Sequence, residues 1–189
     1  MSRFTNDVRA DLEMFQLVHS ERGIAKYFYH ADFKVIVLFR LSQACFRHRM
    51  TRPIAYGITA LNDFLHGVWI GPKVEVGPGV FAGHPRGLVV NPSTRIGSHC
   101  SMMQQVGIGG PNVTIGDYVE INAGAKIISN ARGLRRLTIG DNVIVAAGAV
   151  VVADVPSNSI VAGVPAKVVK ELDPADNWVH FRERASLET

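Results

Sequence analysis

One histidine and one cluster of arginines are the residues here best suited to chemistry. His84 stands in "AGHPRG", flanked by Gly83, Pro85 and Gly87. A neutral imidazole accepts a proton readily near pH 7, so an outward-facing histidine on a rigid frame reads as a general base. A solvated turn histidine is the plainer reading, but His84 sits where an otherwise regular repeat is deformed. Arg132, Arg135 and Arg136 in "ARGLRR" place three guanidinium groups within five positions. They read either as a phosphate clamp or as a solvated basic loop. No aromatic residue interleaves with them to stack a base, so nucleic acid is not expected as a partner.

The other candidates carry less. His99 falls in a polar turn, His66 precedes the repeats, and His19, His30, His48 and His180 lie outside them. No pair has the spacing of metal ligands, so no metal site is expected. Cys45 and Cys100 form no CxxC, and Cys100 falls on an inward register, as a packed thiol does. Two cysteines without a disulfide pattern fit a reducing, cytoplasmic compartment. "GIGGPN" is glycine-rich but does not open a helix as a dinucleotide fingerprint does.

A long repeat must position these residues. Aliphatic or small residues recur every six positions at Ile70, Val76 and Ala82, at Val90, Ile96, Met102 and Ile108, at Ile115, Ile121 and Ile127, and at Ile139, Val145 and Val151. Two positions before each stands another apolar or small residue, from Val68, Val74 and Val80 through to Val143 and Ala149, and glycine often follows. A period of two sends such a pair to one face of a strand. Three six-residue strands close a triangular coil, the hexapeptide form of β-helix, and stacked coils need capped ends. A helix of period 3.6 cannot hold a six-residue register for so long. The register breaks at "GHPRG", which adds two residues, at "GGPN", which adds one, at "SNARGLRRL", and at the exit through "ADVPSNSIVAGVPAKVVK". Loops of this kind are where a solenoid carries its chemistry.

The first third has a helical rhythm: Leu12, Phe15 and Val18, then Phe33, Val37, Phe39 and Leu41, then a further helix through Leu61 and Phe64. Three regions are therefore expected: an N-terminal helical region over 1–66, a β-helix over 67–153 and a C-terminal tail over 154–189. In the 189 residues, 47% are hydrophobic and 19% charged, which suits a large core. The net charge of +4 and a pI near 9.3 admit anions of many kinds. "FKVIVLFRLSQACF" is too short to span a bilayer and is interrupted by Arg40 and Gln43, and with the residues after it, "FKVIVLFRLSQACFRHRMTR" is apolar and then basic. It reads as a cap on the solenoid, with peripheral membrane contact as the other use of such a stretch.

"IGPKVEVGPGVFAGHPRGLVVNPSTRIG", "QQVGIGG", "TIGDYVEINAGAKIIS", "TIGDNVIVAAGAVVVADVP" and "AGVPAKVV" together resemble the hexapeptide-repeat acyltransferases, specifically the serine acetyltransferase-like branch that also includes O-acetyltransferases of surface polysaccharides. The resemblance runs from about Ile70 to Lys170. It implies a left-handed β-helix, a homotrimer that can pair into a dimer of trimers, and acetyl-CoA as cosubstrate in the groove between subunits. His84 matches the family's catalytic histidine. Gly110 matches a glycine whose backbone borders the cofactor, Ala123 and Ala147 match small residues along the pantetheine arm, and Lys167 matches a basic residue near the cofactor phosphates. In the mechanism so implied, His84 deprotonates an acceptor hydroxyl, backbone N–H groups around Gly110 stabilise the oxyanion, and coenzyme A leaves without an acyl-enzyme.

The chain also departs from the serine enzymes. Their aspartate paired with the catalytic histidine aligns with Trp69, and their aspartate just before that histidine aligns with Gly83. The long histidine-bearing loop after the double glycine is absent. "GHPRGLVVNP" resembles the polysaccharide O-acetyltransferases instead, and with no evident partner for a serine ammonium group the expected acceptor is the hydroxyl of a sugar or surface-polysaccharide precursor. Serine is the alternative, and it gains if a carboxylate such as Asp7, Asp11 or Asp32 reaches the site. A non-catalytic scaffold and a metal-dependent hydrolase on the same solenoid are weaker readings: His84 and the small groove residues oppose the first, and the lack of stacked histidines opposes the second.

Overall fold

The computed structural model describes residues 3–19, 27, 29–129 and 136–180. Among them, α1 (Arg3–Val18) and α2 (Ala31–Phe46) are followed by a 3-10 turn, Arg49–Thr51, and by α3 (Arg52–His66). From Trp69 the chain winds into a left-handed parallel β-helix. One sheet stacks β1 (Trp69–Ile70), β4 (Val89–Val90), β7 (Gly107–Gly109), β10 (Lys126–Ile128) and β13 (Val150–Val151). The second stacks β2 (Glu75–Val76), β5 (Arg95–Ile96), β8 (Val113–Ile115) and β11 (Leu137–Ile139). The third stacks β3 (Phe81–Gly83), β6 (Ser101–Met103), β9 (Glu120–Ile121), β12 (Val143–Val145) and β14 (Ser159–Gly163), with β15 (Ala166–Glu171) folded back antiparallel at its edge. Stacking thus continues past Asp154, since β14 pairs in parallel with β12.

Every six-residue aliphatic position read from the sequence, and every partner two residues before it, is buried. Each fully buried Ile, Val or Leu contributes about 1.5–3 kcal/mol over leaving it exposed. The register breaks also appear as read. Trp69 pairs with Val89 and Val89 with Gly107, so the first coil is two residues longer than the second, and the excess lies between β3 and β4, at His84. At the corner between the second and third sheets, glycine is a steric necessity. A Cβ on Gly97 would stand 2.5 Å from the carbonyl oxygen of Gly116 in the next coil.

The helices lie across the open end of the first coil, and their faces differ from the sequence reading. α1 buries Asp7, Asp11, Met14 and Phe15, while α2 buries Asp32, Val35, Ile36, Phe39, Arg40 and Ser42. Leu41, Leu61 and Phe64 are exposed. The reason is that the first coil has no coil before it, so its peptide groups need other partners. Asp11 Oδ1 accepts the N–H of Val80 at 2.9 Å, and Asp32 Oδ1 accepts that of His84 at 3.1 Å. Arg40 donates to the carbonyls of Val76 and Gly77, and Gln43 donates to that of Val74. Polar side chains on the helices therefore terminate the solenoid.

Candidate functional site: the His84 cleft

His84 follows β3 at the corner between the third and first sheets, in the two-residue expansion. Its backbone is left-handed, with φ +47°, a conformation that costs a non-glycine residue about 1–2 kcal/mol. The bond from its N–H to Asp32 Oδ1 and the bond from Arg86 N–H to its carbonyl, at 2.7 Å, hold that geometry. The side chain is exposed, as the sequence reading required. It borders a cleft of about 400 Å³ shared with Tyr29, His30, Asp32, His66 and Arg86. The expansion at His84 thus faces the start of α2 within the same chain.

Asp32 is 3% exposed and sits in the first turn of α2. Its second oxygen, Oδ2, lies 3.2 Å from Nε2 of His19. Each carboxylate oxygen has a further lone pair, so Asp32 can accept another donor from the cleft. The lining also carries a permanent cation, Arg86, and a further imidazole, His66, besides those of His84 and His30. His66 is half-buried, and burial, reinforced by Lys34 and Arg86, lowers its pKa below the ordinary imidazole value. A cleft with one buried carboxylate and one arginine suits a small acceptor that carries both charges.

The same corner continues along the solenoid. Gln105 N–H donates to Arg86, Gly124 N–H to Gln104 and Gly148 N–H to Ala123. Successive coils therefore stack Arg86, Gln104, Ala123 and Ala147 in one column. Side chains shrink along it, from arginine and glutamine beside His84 to two alanines, so the corner opens as it leaves the histidine.

Gly110 lies elsewhere, after β7 at the other edge of the first sheet. Its φ is +82°, and a Cβ there would come within 2.3 Å of Ser129 Oγ. Arg136 is exposed on that side and borders a second cleft of about 450 Å³ with Lys73, Ser93, Arg95 and Asn112. Arg132 and Arg135 lie outside the described residues. Lys167 is exposed on β15. The structure thus groups His84, Ala123 and Ala147 on one corner and Gly110 and Arg136 on another. Trp69, at the position of the serine enzymes' histidine-pairing aspartate, is 41% exposed on the outer face of the sheet between them.

Two features escaped the sequence reading. Asp32 was one of three carboxylates with no assignable place, since helix packing alone brings it to His84. His19 and His30, eleven positions apart, converge with Asp32 across the α1–α2 connection; their imidazole nitrogens and a carboxylate oxygen lie within 4.8 Å of one another. A coil-by-coil reading cannot see either, because neither lies in a coil.

No family model matches the chain. It is 30% identical over 169 residues to a serine acetyltransferase of Synechococcus elongatus, covering 84% of this chain and 66% of that one. It is 33% identical over 136 residues to serine acetyltransferase 2 of Arabidopsis thaliana, covering 71% of this chain and 42% of that one. The chain thus spans about two thirds or less of the length of these relatives. Among solved structures, a serine acetyltransferase of Brucella abortus in complex with coenzyme A superposes with a TM-score of 0.79 at 26% identity, over 90% of this chain and 69% of that one. By this identity and superposition, together with its hexapeptide repeat, the chain belongs to the hexapeptide-repeat acyltransferases, on their serine acetyltransferase-like branch.

Proposed function

We propose that this chain is an acetyl-CoA-dependent serine O-acetyltransferase with His84 as general base. The observation that carries the reading is Asp32 at the His84 cleft. One ground for preferring a sugar acceptor was that the sequence showed no carboxylate for a serine ammonium group, and Asp32 removes that ground. The relatives named as serine acetyltransferases point the same way.

In this mechanism the serine ammonium lies against Asp32 and the carboxylate against Arg86. His84 takes the hydroxyl proton as the oxygen attacks the thioester carbonyl, a role worth about 10²–10⁴-fold in rate. The tetrahedral intermediate collapses, coenzyme A leaves as the thiol with the proton returned by His84, and the acetyl group stays on the serine oxygen. The alanine column beyond His84 takes the pantetheine arm. Gly110, Arg136 and Lys167, with Arg132 and Arg135, serve the oxyanion and the phosphates.

Gly110 and His84 occupy opposite edges of one sheet, so a single active site draws them from two copies. The outer face of that sheet supports such an association: Trp69 and Val89, register partners, stand 41% and 49% exposed. We therefore read the enzyme as a homotrimer. No helix among the described residues is long and apolar enough to cross a membrane. The free thiols of Cys45 and Cys100 and the use of acetyl-CoA fit a cytoplasmic setting. Thiol release from acetyl-CoA tests the reading. L-serine stimulates it in the native protein and not in His84→Ala. No stimulation by serine, in protein that binds coenzyme A, overturns it.

A further inference from the structure

We propose that His19, His30 and Asp32 form a binding site for a zinc-type divalent cation on the wall of the His84 cleft. Three chain positions with no periodic relation supply the donors: His19 just beyond the end of α1, His30 at the N-cap of α2, and Asp32 in its first turn. The donor atoms lie within 4.8 Å of one another. His19 Nε2 and Asp32 Oδ2 are 3.2 Å apart. That is close to the separation of about 3.3 Å between two donors of a tetrahedral ion with bonds of about 2.0–2.1 Å. The His19 and His30 rings face one another with centroids 4.3 Å apart, so a side-chain rotation at His30 closes the set.

The surroundings are those of a metal site. Asp32 Oδ1 is fixed by the His84 N–H, the kind of outer hydrogen bond that orients a ligating carboxylate. The His19 ring packs against Phe15 at 4.5 Å and Phe81 at 5.9 Å, which shields one side from water. His30 and Asp32 border the cleft, which leaves an open coordination position for water. Two imidazoles with a single carboxylate favour zinc, cobalt or nickel, and are poor in oxygen donors for magnesium or calcium. A cation there also compensates a buried carboxylate whose nearest charged or chargeable partner in the cluster is an imidazole.

The site does not depend on the acyl-transfer reading, and an ion held there takes the Asp32 carboxylate that the serine ammonium would use, so ion and serine bind in competition. It is tested on chelator-treated full chain by calorimetry with Zn²⁺ alone and by ¹H–¹⁵N spectra of the histidine side chains. One ion per chain is expected, with two imidazoles shifting on binding. His30→Ala is expected to weaken uptake by more than about tenfold, whereas His84→Ala retains it. No uptake, uptake that moves no imidazole resonance, or uptake as tight as native in both His19→Ala and His30→Ala overturns the proposal and leaves a hydrogen-bonded pair. The spectra of the native chain decide the matter even where a variant fails to fold, and failure of serine turnover leaves the binding result unaffected.

Discussion

Asp11 and Asp32 make the same bond at the two ends of one strand and have different prospects. Asp11 accepts the N–H of Val80, just before β3, and Asp32 accepts the N–H of His84, just after it. Arg40 stands against Asp11, with Nε 2.7 Å from Oδ2 and Nη2 3.1 Å from Oδ1, and its side chain is 1% exposed. Burial pushes the Asp11 carboxyl up, and the Arg40 hydrogen bonds oppose it. That carboxylate is consumed by the fold. Asp32 has an imidazole where Asp11 has a guanidinium, and it borders a cleft. A buried charge matched by a fixed cation anchors; one left with a titratable partner and an open side is available to a ligand.

The largest expected effect lies at the residue that Asp32 holds. His84→Ala should lower kcat by about 10²–10⁴-fold, measured as thiol release. His99→Ala should leave kcat near native, although His99 shares the left-handed backbone, because its ring stacks on Tyr118 at 5.0 Å and its carbonyl accepts from Trp178. Equal losses in the two variants would break the distinction between a chemical and a structural histidine.

Next comes the anchor itself. Arg40→Met should cost about 3–5 kcal/mol, since it leaves Asp11 buried without compensation, read as the shift in a urea midpoint. Asp32→Asn is the sharper half of the pair. Asparagine keeps an acceptor for the His84 N–H and loses the charge, so stability should change by under about 1 kcal/mol. For serine, kcat/KM should fall roughly 10²-fold as the acceptor is misplaced, mainly through a raised KM. Should Asp32→Asn unfold the chain as readily as Arg40→Met, both carboxylates are anchors and the comparison collapses.

The smallest effect is a pH dependence. The pKa of His66 in the folded chain lies below its ordinary value of 6.5, chiefly through burial, so folding favours the neutral ring. The stability linked to it is complete above that ordinary value and is lost as pH falls through the folded one. His66→Gln should flatten the decline in Tm on acidification from about pH 7 to pH 5. An unchanged slope would assign the decline to other groups.

Much of the solenoid was legible because its constraint is local and repeated. A strand side chain alternates with period two and a coil face with period six, so Ile96, Ile115 and Ile139 declare their inward direction wherever they stand. The displacement of His84 was legible for the same reason, as an interruption shows only against a period. Cys100 was also read correctly: it is fully buried, and burial pushes its thiol pKa up to about 12. The helical layer was less legible. Of Leu12, Phe15 and Val18, which marked α1 as a helix, Phe15 alone is buried, and nothing in their spacing showed that Asp7 and Asp11 share the packed face with it.

By itself, then, the sequence determined the coil, its inward residues, the place of its interruption and the histidine set there, because each follows from spacing along the chain. Only the tertiary structure decided that Asp32 rather than Asp11 meets His84, that Arg40 neutralises the other carboxylate, and that His19 and His30 meet beside them. These depend on which unpaired peptide groups of the first coil the helices cover. That is a matter of contact between segments far apart in sequence, and no spacing along the chain encodes it.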